Sequence, residues 1–256
     1  MQNFKKIVIL LTLVFAFSCV SKKEIVYFQN DEIEQNLVSN SYKTVLKPDD
    51  LLQITITALD LEAAKPFNLP AVSYLTTTDR ATGTPQQQSY LVDNNGEIDF
   101  PVLGKIKIGG LTRTEAIEFL RKKLDPDYIK NPTINIRIAN YKVTVLGDVN
   151  KPGTYTIPNE RITILEAIGL AGDLKITGKR NNVFVMREVE GKKIKYEIDL
   201  RSNKIFTSPV YYLQQNDFVY IEPNKASSQD AAYNKNRAFY ISVGSIILSL
   251  LTFLTR

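Results

Sequence analysis

Apolar and polar residues alternate along the middle of the chain, and this pattern predicts a series of short strands. The alternation is clearest over residues 52–56 and 133–139, where every second residue is apolar, as in a strand with one buried face. Further strands are predicted at 143–147, 183–186, 195–200 and 218–221. Residues 60–88 lose this period and carry runs of Thr and Gln, so they are predicted to form a long loop or insertion.

Two helices are predicted between these strands. Thr112 with Glu115 and Thr163 with Glu166 each have the spacing of a capping box, in which a side chain at either end bonds the other residue's backbone N–H. Apolar residues at helical spacing follow the first pair, and Gly172 is suited to end the second helix. One helix among several short strands predicts a compact α+β module, of β-grasp type in the second unit.

Two turns are marked by glycine. Asn95-Gly96 lies between two extended runs and predicts a hairpin, because such a turn needs a positive φ. Residues 150–153 read Asn-Lys-Pro-Gly and predict a second turn, with Gly153 expected at positive φ.

The N-terminal residues have the pattern of a secretory signal peptide. Lys5 and Lys6 precede an apolar run at 7–17, which is too short to span a bilayer as a helix. The single cysteine, Cys19, follows directly, and residues 16–19 resemble the lipobox of bacterial lipoproteins. We therefore predict a signal peptide at 1–18, lipidation at Cys19 and a tether at 19–41. The alternative is a signal peptide cut elsewhere, with a free thiol left over.

Residues 238–254 carry no charge and are predicted to form a transmembrane helix after a polar linker at 223–237. At 3.6 residues per turn, small and hydroxyl-bearing residues share one face of this helix. Such a face serves close helix packing, or it lines a water-filled lumen within a ring of helices. A buried core helix is a third interpretation. The pore-lining candidates are Ser242, Ser245, Ser249 and Thr252.

Composition excludes several classes of chemistry. The chain has no histidine, so Ser-His-Asp and Cys-His catalysis and histidine metal sites are excluded. One cysteine allows neither an intrachain disulfide nor a cysteine zinc cluster, so no metal and no cofactor is predicted. The formal charge is +5, and two of those charges belong to the predicted signal peptide. That charge is too small to indicate nucleic acid as a partner.

The two units together resemble the outer-membrane polysaccharide export family, to which the Wza-type capsule translocon belongs. The first unit, at 42–140, is similar to the polysaccharide-export domain, although Asp49 stands where the family has glycine. The second unit, at 141–222, is similar to the soluble ligand-binding β-grasp repeat. We interpret the signature residues as structural, mostly at turns. They are Pro48, Asp50, Asp93, Gly96, Pro101, Gly104, Gly147, Pro152 and Gly153.

This resemblance implies an α+β chain with a polysaccharide-export α/β domain, a β-grasp-like domain and a C-terminal transmembrane helix. It implies transport and not catalysis, by a homo-oligomeric ring in the outer membrane that exports capsular or extracellular polysaccharide. Each subunit would be lipid-anchored with most of its chain in the periplasm. It also favours the lumen interpretation of the hydroxyl face. An inner-membrane co-polymerase with a tyrosine kinase is the expected partner.

Two other functions stay open from the residues alone. A periplasmic, membrane-anchored lipoprotein could bind glycan or act as a scaffold, with the C-terminal helix serving only as an anchor. A glycoside hydrolase would need a pair of carboxylates, for which Asp49, Asp50, Asp93 and Asp99 are candidates. These acids lie at predicted turns, and no nucleophile constellation accompanies them.

Overall fold

The computed structural model describes residues 22–29, 43–72, 86–189, 191–232 and 236–254. They form two successive mixed α/β units, followed by two helices. The first unit contains strands β1 (Leu51–Thr57), β2 (Ala71–Val72), β3 (Gln86–Gln87), β4 (Tyr90–Leu91), β5 (Glu97–Phe100), β6 (Gly104–Lys107) and β7 (Thr133–Ile138), with helices α1 (Leu61–Ala64) and α2 (Arg113–Leu124). The second contains β8 (Lys142–Gly147), β9 (Gly153–Thr156), α3 (Ile164–Leu170), β10 (Gly178–Val189), β11 (Lys192–Ile198) and β12 (Phe218–Pro223). Helices α4 (Lys225–Ala232) and α5 (Asn236–Leu254) follow.

A three-stranded antiparallel sheet forms the core of the first unit, with β1 between β4 and β7. The predicted alternation in β1 and β7 is confirmed, because every second side chain of both strands is buried. Helix α2 packs along β7 and begins at the predicted capping box of Thr112 and Glu115. Its buried residues are Ala116, Leu120 and Leu124. Each large apolar side chain buried in this way contributes roughly 1.5–3 kcal/mol to folding.

Residues 60–88 are more regular than predicted. The Asp60 carboxylate caps α1, one turn of 3₁₀ helix follows at Lys65–Phe67, and β2 pairs with β3. The Phe67 ring is buried in the core. The predicted loop is therefore wrong for these parts, because a cap and one anchoring aromatic ring organise a stretch with no long apolar period. Residues 73–85 lie outside the described residues.

The turn at Asn95-Gly96 is confirmed, but the strands on either side of it pair elsewhere. Gly96 has a φ of +78°, and its N–H donates to the carbonyl of Asp93 at 2.9 Å. Strand β4 pairs with β1, whereas β5 pairs with β6. The chain therefore passes from one sheet to another at this turn, and β4 and β5 do not form the predicted hairpin. The buried ring of Tyr90 stacks on Phe100 across this turn, with 5.4 Å between centroids.

A five-stranded sheet forms the second unit, in the order β11-β10-β12-β8-β9. Strands β8 and β12 run parallel beside each other, and the remaining neighbours are antiparallel. Helix α3 begins at the second predicted capping box and contributes Ile164, Ala167 and Ile168 to the core. One helix on a mixed sheet is the predicted α+β module. The positive φ predicted at Gly153 is wrong, since this residue is the extended first residue of β9 and pairs with Val145.

Part of the predicted tether packs on the second unit. The N–H groups of Phe28 and Gln29 donate to the carbonyls of Leu200 and Arg201 at 3.3 and 2.6 Å. The ring of Phe28 stacks on Phe206 with 5.4 Å between centroids. Tyr27 also donates to the Asp173 carboxylate, and burial together with this bond raises the pKa of Tyr27. Residues 26–29 are thus held against the fold by backbone and ring contacts.

The predicted linker at 223–237 contains helix α4, and the predicted C-terminal helix is present as α5. Nevertheless, none of the helices in the described part of the chain is long and apolar enough to cross a membrane. The transmembrane assignment of 238–254 is therefore unsupported.

Candidate functional site between the two units

A network of amide side chains joins the two units near the beginning of β8. Asn140 accepts the N–H of Leu51 and donates to the carbonyl of Asp49, both at 2.9 Å. On its other side, the Asn140 carbonyl accepts the amide of Gln215 at 2.9 Å, and the Gln215 oxygen accepts the Lys142 N–H at 2.7 Å. Both units are therefore fixed to one junction residue.

Glu160 of the second unit also reaches into the first. One oxygen of its buried carboxylate accepts the N–H of Ile138 at 2.8 Å, at the end of β7. The other oxygen lies 3.5 Å from the Arg113 guanidinium. Glu160 itself has a φ of +53°, a conformation that few residues other than glycine adopt. This carboxylate is therefore committed to holding the units together.

Two charged residues of the turn at 47–50, the buried Asp50 and the half-buried Lys47, lie at the same junction. Asp50 is fully buried, and one of its oxygens accepts the Lys47 N–H at 2.8 Å. Burial is the main cause that raises the pKa of Asp50 to about 6. The Lys47 ammonium donates to the Gln214 side chain at 2.7 Å, and burial lowers its pKa. Signature residue Asp50 thus stabilises a turn and carries a costly charge at neutral pH.

The second unit contains a buried ion pair that the sequence analysis did not identify. The Arg187 guanidinium binds both oxygens of Asp217, with donor–acceptor distances between 2.6 and 3.1 Å. Asp217 also accepts the Gln214 N–H at 2.7 Å, and Arg187 donates to the Tyr212 carbonyl at 2.9 Å. Both side chains are almost fully excluded from solvent. The pair therefore fixes the chain that runs from Tyr212 to β12.

A polar cleft of about 690 Å³ lies between the two units, and its lining includes the Arg113–Glu160 pair of the junction. The first unit contributes the segment at 43–44 and the beginning of α2, and the second contributes 159–161 and Tyr212. Both sides are fixed by backbone bonds, since Arg113 donates to the Thr44 carbonyl at 3.3 Å and Leu213 to the Ile162 carbonyl at 2.9 Å. The lining residues are Lys43, Thr44, Thr112, Arg113, Thr114, Glu115, Asn159, Glu160, Arg161 and Tyr212.

The signature residues of the first unit form connected turns. Asp49 donates its N–H to the carbonyl of Val92 at 2.9 Å, which joins the turn at Pro48 to the chain just before Asp93. Asp49 has a φ of +69°, so an aspartate occupies the left-handed conformation that glycine usually supplies. In the next turn, the Asp93 carboxylate accepts the N–H groups of Asn95 and Glu97 at 2.9 and 2.8 Å.

Two signature glycines combine a positive φ with a close backbone neighbour. A Cβ atom on Gly96 would lie 3.1 Å from the Gly109 Cα. A Cβ atom on Gly147, where φ is +94°, would lie 2.0 Å from the carbonyl oxygen of Ile221 on the neighbouring β12. The other signature residues lie at element ends: Pro101 just after β5, Gly104 at the beginning of β6, and Pro152 and Gly153 at the beginning of β9.

The hydroxyl face of α5 is distant in sequence from this cleft. Ser242, Ser245 and Ser249 are exposed, and the Ser245 hydroxyl donates to the Ser242 carbonyl at 2.8 Å. Thr252 lies on the same helix, and Cys19 lies outside the described residues. Apolar side chains of α5 are exposed as well, and Val243, Ile246, Ile247 and Leu250 are examples.

Two of the four candidate carboxylates have structural partners. Asp50 and Asp93 accept backbone N–H groups within their own turns, and Asp99 is an exposed residue of β5. In the described part of the chain, no group of three or more acidic or cysteine side chains is placed to hold a metal ion. The arrangement of the cleft is suited to binding a polar ligand through cations, hydroxyls and one aromatic ring.

Comparisons with known proteins agree with this organisation. Residues 38–139 match the family model described as polysaccharide biosynthesis/export protein, and residues 141–221 match the SLBB domain. The chain is similar to the EPS I polysaccharide export outer membrane protein EpsA of Ralstonia solanacearum, with 28% identity over 149 residues, which cover 57% of this chain and 39% of that protein. The protein of the same name from Ralstonia nicotianae is 31% identical over 103 residues, covering 39% of this chain and 27% of its own length. The chain therefore spans less than half the length of these curated relatives.

Proposed function

Because the chain belongs to the Wza-type outer-membrane polysaccharide export family, we propose that it is a subunit of an oligomeric outer-membrane channel. The channel would export capsular or extracellular polysaccharide from the periplasm. The proposal rests above all on the ordered match of an export domain and an SLBB domain over residues 38–221. Both curated relatives carry the name of polysaccharide export outer membrane proteins. The match to a polysaccharide export family supports transport rather than catalysis.

In this proposal, α5 of each subunit joins a ring and turns its hydroxyl face toward the exported chain. Hydroxyls can exchange hydrogen bonds with a sugar polymer without trapping it, which suits passage. The exposed apolar side chains on the rest of α5 would be covered by neighbouring subunits and lipid. The lumen-facing residues would be Ser242, Ser245, Ser249 and Thr252.

The remaining parts of the proposal concern location and partners. Lipidation at Cys19 would hold the chain at the outer membrane, with both units in the periplasm. Several acyl chains at about 0.8 kcal/mol per buried methylene group give a stable anchor. The polymer would arrive from an inner-membrane co-polymerase that works with a tyrosine kinase.

The test replaces the four hydroxyl residues of α5 with leucine and measures two quantities in cells. We expect cell-surface polysaccharide to be lost while the oligomer, measured by light scattering after detergent extraction, is retained. The matched control places leucine at Val243 and Ile247, which lie outside the hydroxyl face, and should leave export intact. Unchanged export in the hydroxyl variant would refute the lumen assignment, and a monomeric wild-type protein would refute the ring.

The polar cleft supports a second candidate function, a membrane-anchored glycan-binding or scaffold lipoprotein. Such a protein would be monomeric and non-conducting and would hold glycan between its two units. Light scattering and single-channel recording on the extracted full-length protein separate the two candidates.

A further inference from the structure

The cleft between the two units has an excess of available positive charge. Its lining includes the cations Lys43, Arg113 and Arg161 and the carboxylates Glu115 and Glu160. The carboxylates have partners within the protein, since Glu115 accepts the N–H and hydroxyl of its own helix cap at 2.7 and 2.8 Å and Glu160 is buried against β7. In the described part of the chain, neither Lys43 nor Arg161 forms a direct ion pair with a carboxylate. The pKa of Glu115 is lowered by its hydrogen bonds from Thr112 and also by the more distant charge of Lys43.

The Tyr212 side chain holds the Arg161 guanidinium in place and uses only one of its N–H donors. Its guanidinium carbon lies 4.8 Å from the centroid of the Tyr212 ring, and one N–H donates to the Tyr212 hydroxyl at 2.7 Å. A guanidinium has five N–H donors, so this bond leaves others for a ligand. The Arg161 side chain is exposed to the cleft, and it is therefore a preorganised donor for a planar anion such as a carboxylate.

Neutral polar groups accompany these cations. Thr114 at the beginning of α2 and Asn159 on the opposite side present a hydroxyl and an amide to the same cleft. Such groups exchange hydrogen bonds with sugar hydroxyls. The volume of about 690 Å³ lies within the range of pockets that hold ligands the size of a short oligosaccharide.

We propose that this cleft binds a carboxylate-bearing segment of the exported polysaccharide, with Arg161 and Lys43 contacting the sugar carboxylate. This inference rests on the proposed export function, because that function brings polysaccharide to the protein. The contacts are charge-assisted but open to solvent, so binding should weaken as salt is raised. Weak binding is what a site along an export path requires, since the polymer must be released.

The test uses the full-length protein in detergent, titrated with an oligogalacturonate at low ionic strength and followed by isothermal titration calorimetry. We expect binding that weakens with added salt, and at least about tenfold weaker binding of a neutral malto-oligosaccharide of equal length, as loss of a charge-assisted bond predicts. Arg161→Gln and Lys43→Gln should each weaken oligogalacturonate binding by about tenfold. The matched control, Lys193→Gln, removes an exposed lysine from β11 and should leave binding unchanged.

Several outcomes would overturn the inference. These are equal affinity for the neutral oligosaccharide, full binding by both cleft variants, no binding at all, or displacement by inorganic phosphate at a concentration equal to that of the sugar. Thermal unfolding followed by circular dichroism shows whether each variant is folded. Failure of the export proposal is seen separately: the extracted wild-type protein would then be monomeric and non-conducting while it still binds oligogalacturonate.

Discussion

The buried carboxylate of Asp50 should make the stability of the protein fall as the pH rises. Its pKa is raised from 3.8 to about 6 by burial, so the folded chain holds this proton more tightly than the unfolded chain. The stabilisation is complete below pH 4 and is lost as the pH rises through about 6. The corresponding free energy is about 3 kcal/mol, since a pKa difference of one corresponds to about 1.36 kcal/mol.

Asp50→Asn isolates this contribution. At pH 4 residue 50 is neutral in the folded state of both chains, so their difference in unfolding free energy then reports mainly packing and hydrogen bonding. As the pH rises to 7.5 the wild type acquires a buried charge and the variant does not. The stability of the variant relative to the wild type should therefore increase by up to about 3 kcal/mol over this range. Titrating groups that do not interact with residue 50 are common to both chains and cancel in the difference.

The assay is urea unfolding at half-unit steps between pH 4 and pH 7.5, followed by far-UV circular dichroism because the chain has no tryptophan. Asp99→Asn removes the same charge from an exposed position on β5 and controls for the change in net charge. A relative stability that stays constant across this range, or that decreases with pH, would refute the assignment of Asp50 as a carboxylate destabilised by burial.

Three further predictions concern other parts of the structure. Asp217→Asn should lower the unfolding free energy by about 3–5 kcal/mol, because it leaves the Arg187 guanidinium buried without its counter-charge; urea unfolding measures the loss. Gly147→Ala should prevent stable folding or shift the thermal midpoint down by many degrees, because the new Cβ would lie 2.0 Å from the carbonyl oxygen of Ile221. Phe28→Ala should release residues 22–29 and make them sensitive to limited proteolysis, with little change in the thermal midpoint of the sheet.

These predictions have matched controls and contrary outcomes. Gly153→Ala tests the same substitution at a signature glycine with open space around its Cβ position, and it should be tolerated. Equal effects at the two glycines would contradict the role of close contact. Removing both charges with Arg187→Met and Asp217→Leu should cost less than Asp217→Asn alone. A larger loss in the double variant would contradict the account of an unpaired buried charge, and an unchanged proteolytic pattern in Phe28→Ala would contradict docking through that ring.

The parts of the fold that were predictable from the sequence depend on local signals. The alternation of apolar and polar residues predicts strand β1, and each capping box is complete within four residues. Neither the strand nor the capping boxes require knowledge of distant contacts. Asp49 shows where a local signal is ambiguous. A glycine there would have indicated a left-handed turn directly. An aspartate adopts a φ of +69° because its N–H donates to the Val92 carbonyl and its own carbonyl accepts from the Asn140 side chain.

The candidate site was less predictable, because its residues come together only in the folded chain. Arg187 lies in a strand rich in polar residues and has no local mark that separates it from a solvent-exposed arginine. Its partner Asp217 is 30 residues away. Likewise, Glu160 and Arg161 are adjacent in sequence but have different environments. Glu160 is buried against β7, whereas Arg161 is exposed in the cleft. Only the packing of the two units distinguishes them.

The docking of residues 22–29 also determines how the chain would carry mechanical load. These residues are attached beside β11, and α4 leaves the same unit directly after β12. A force applied between residue 22 and α5 would therefore be transmitted across the sheet, through the hydrogen bonds that join β11, β10 and β12. The first unit, although it lies between these points in sequence, would form a loop outside the path of the force. Tension on the two ends would then leave the junction between the units relaxed until the contacts of Phe28 give way.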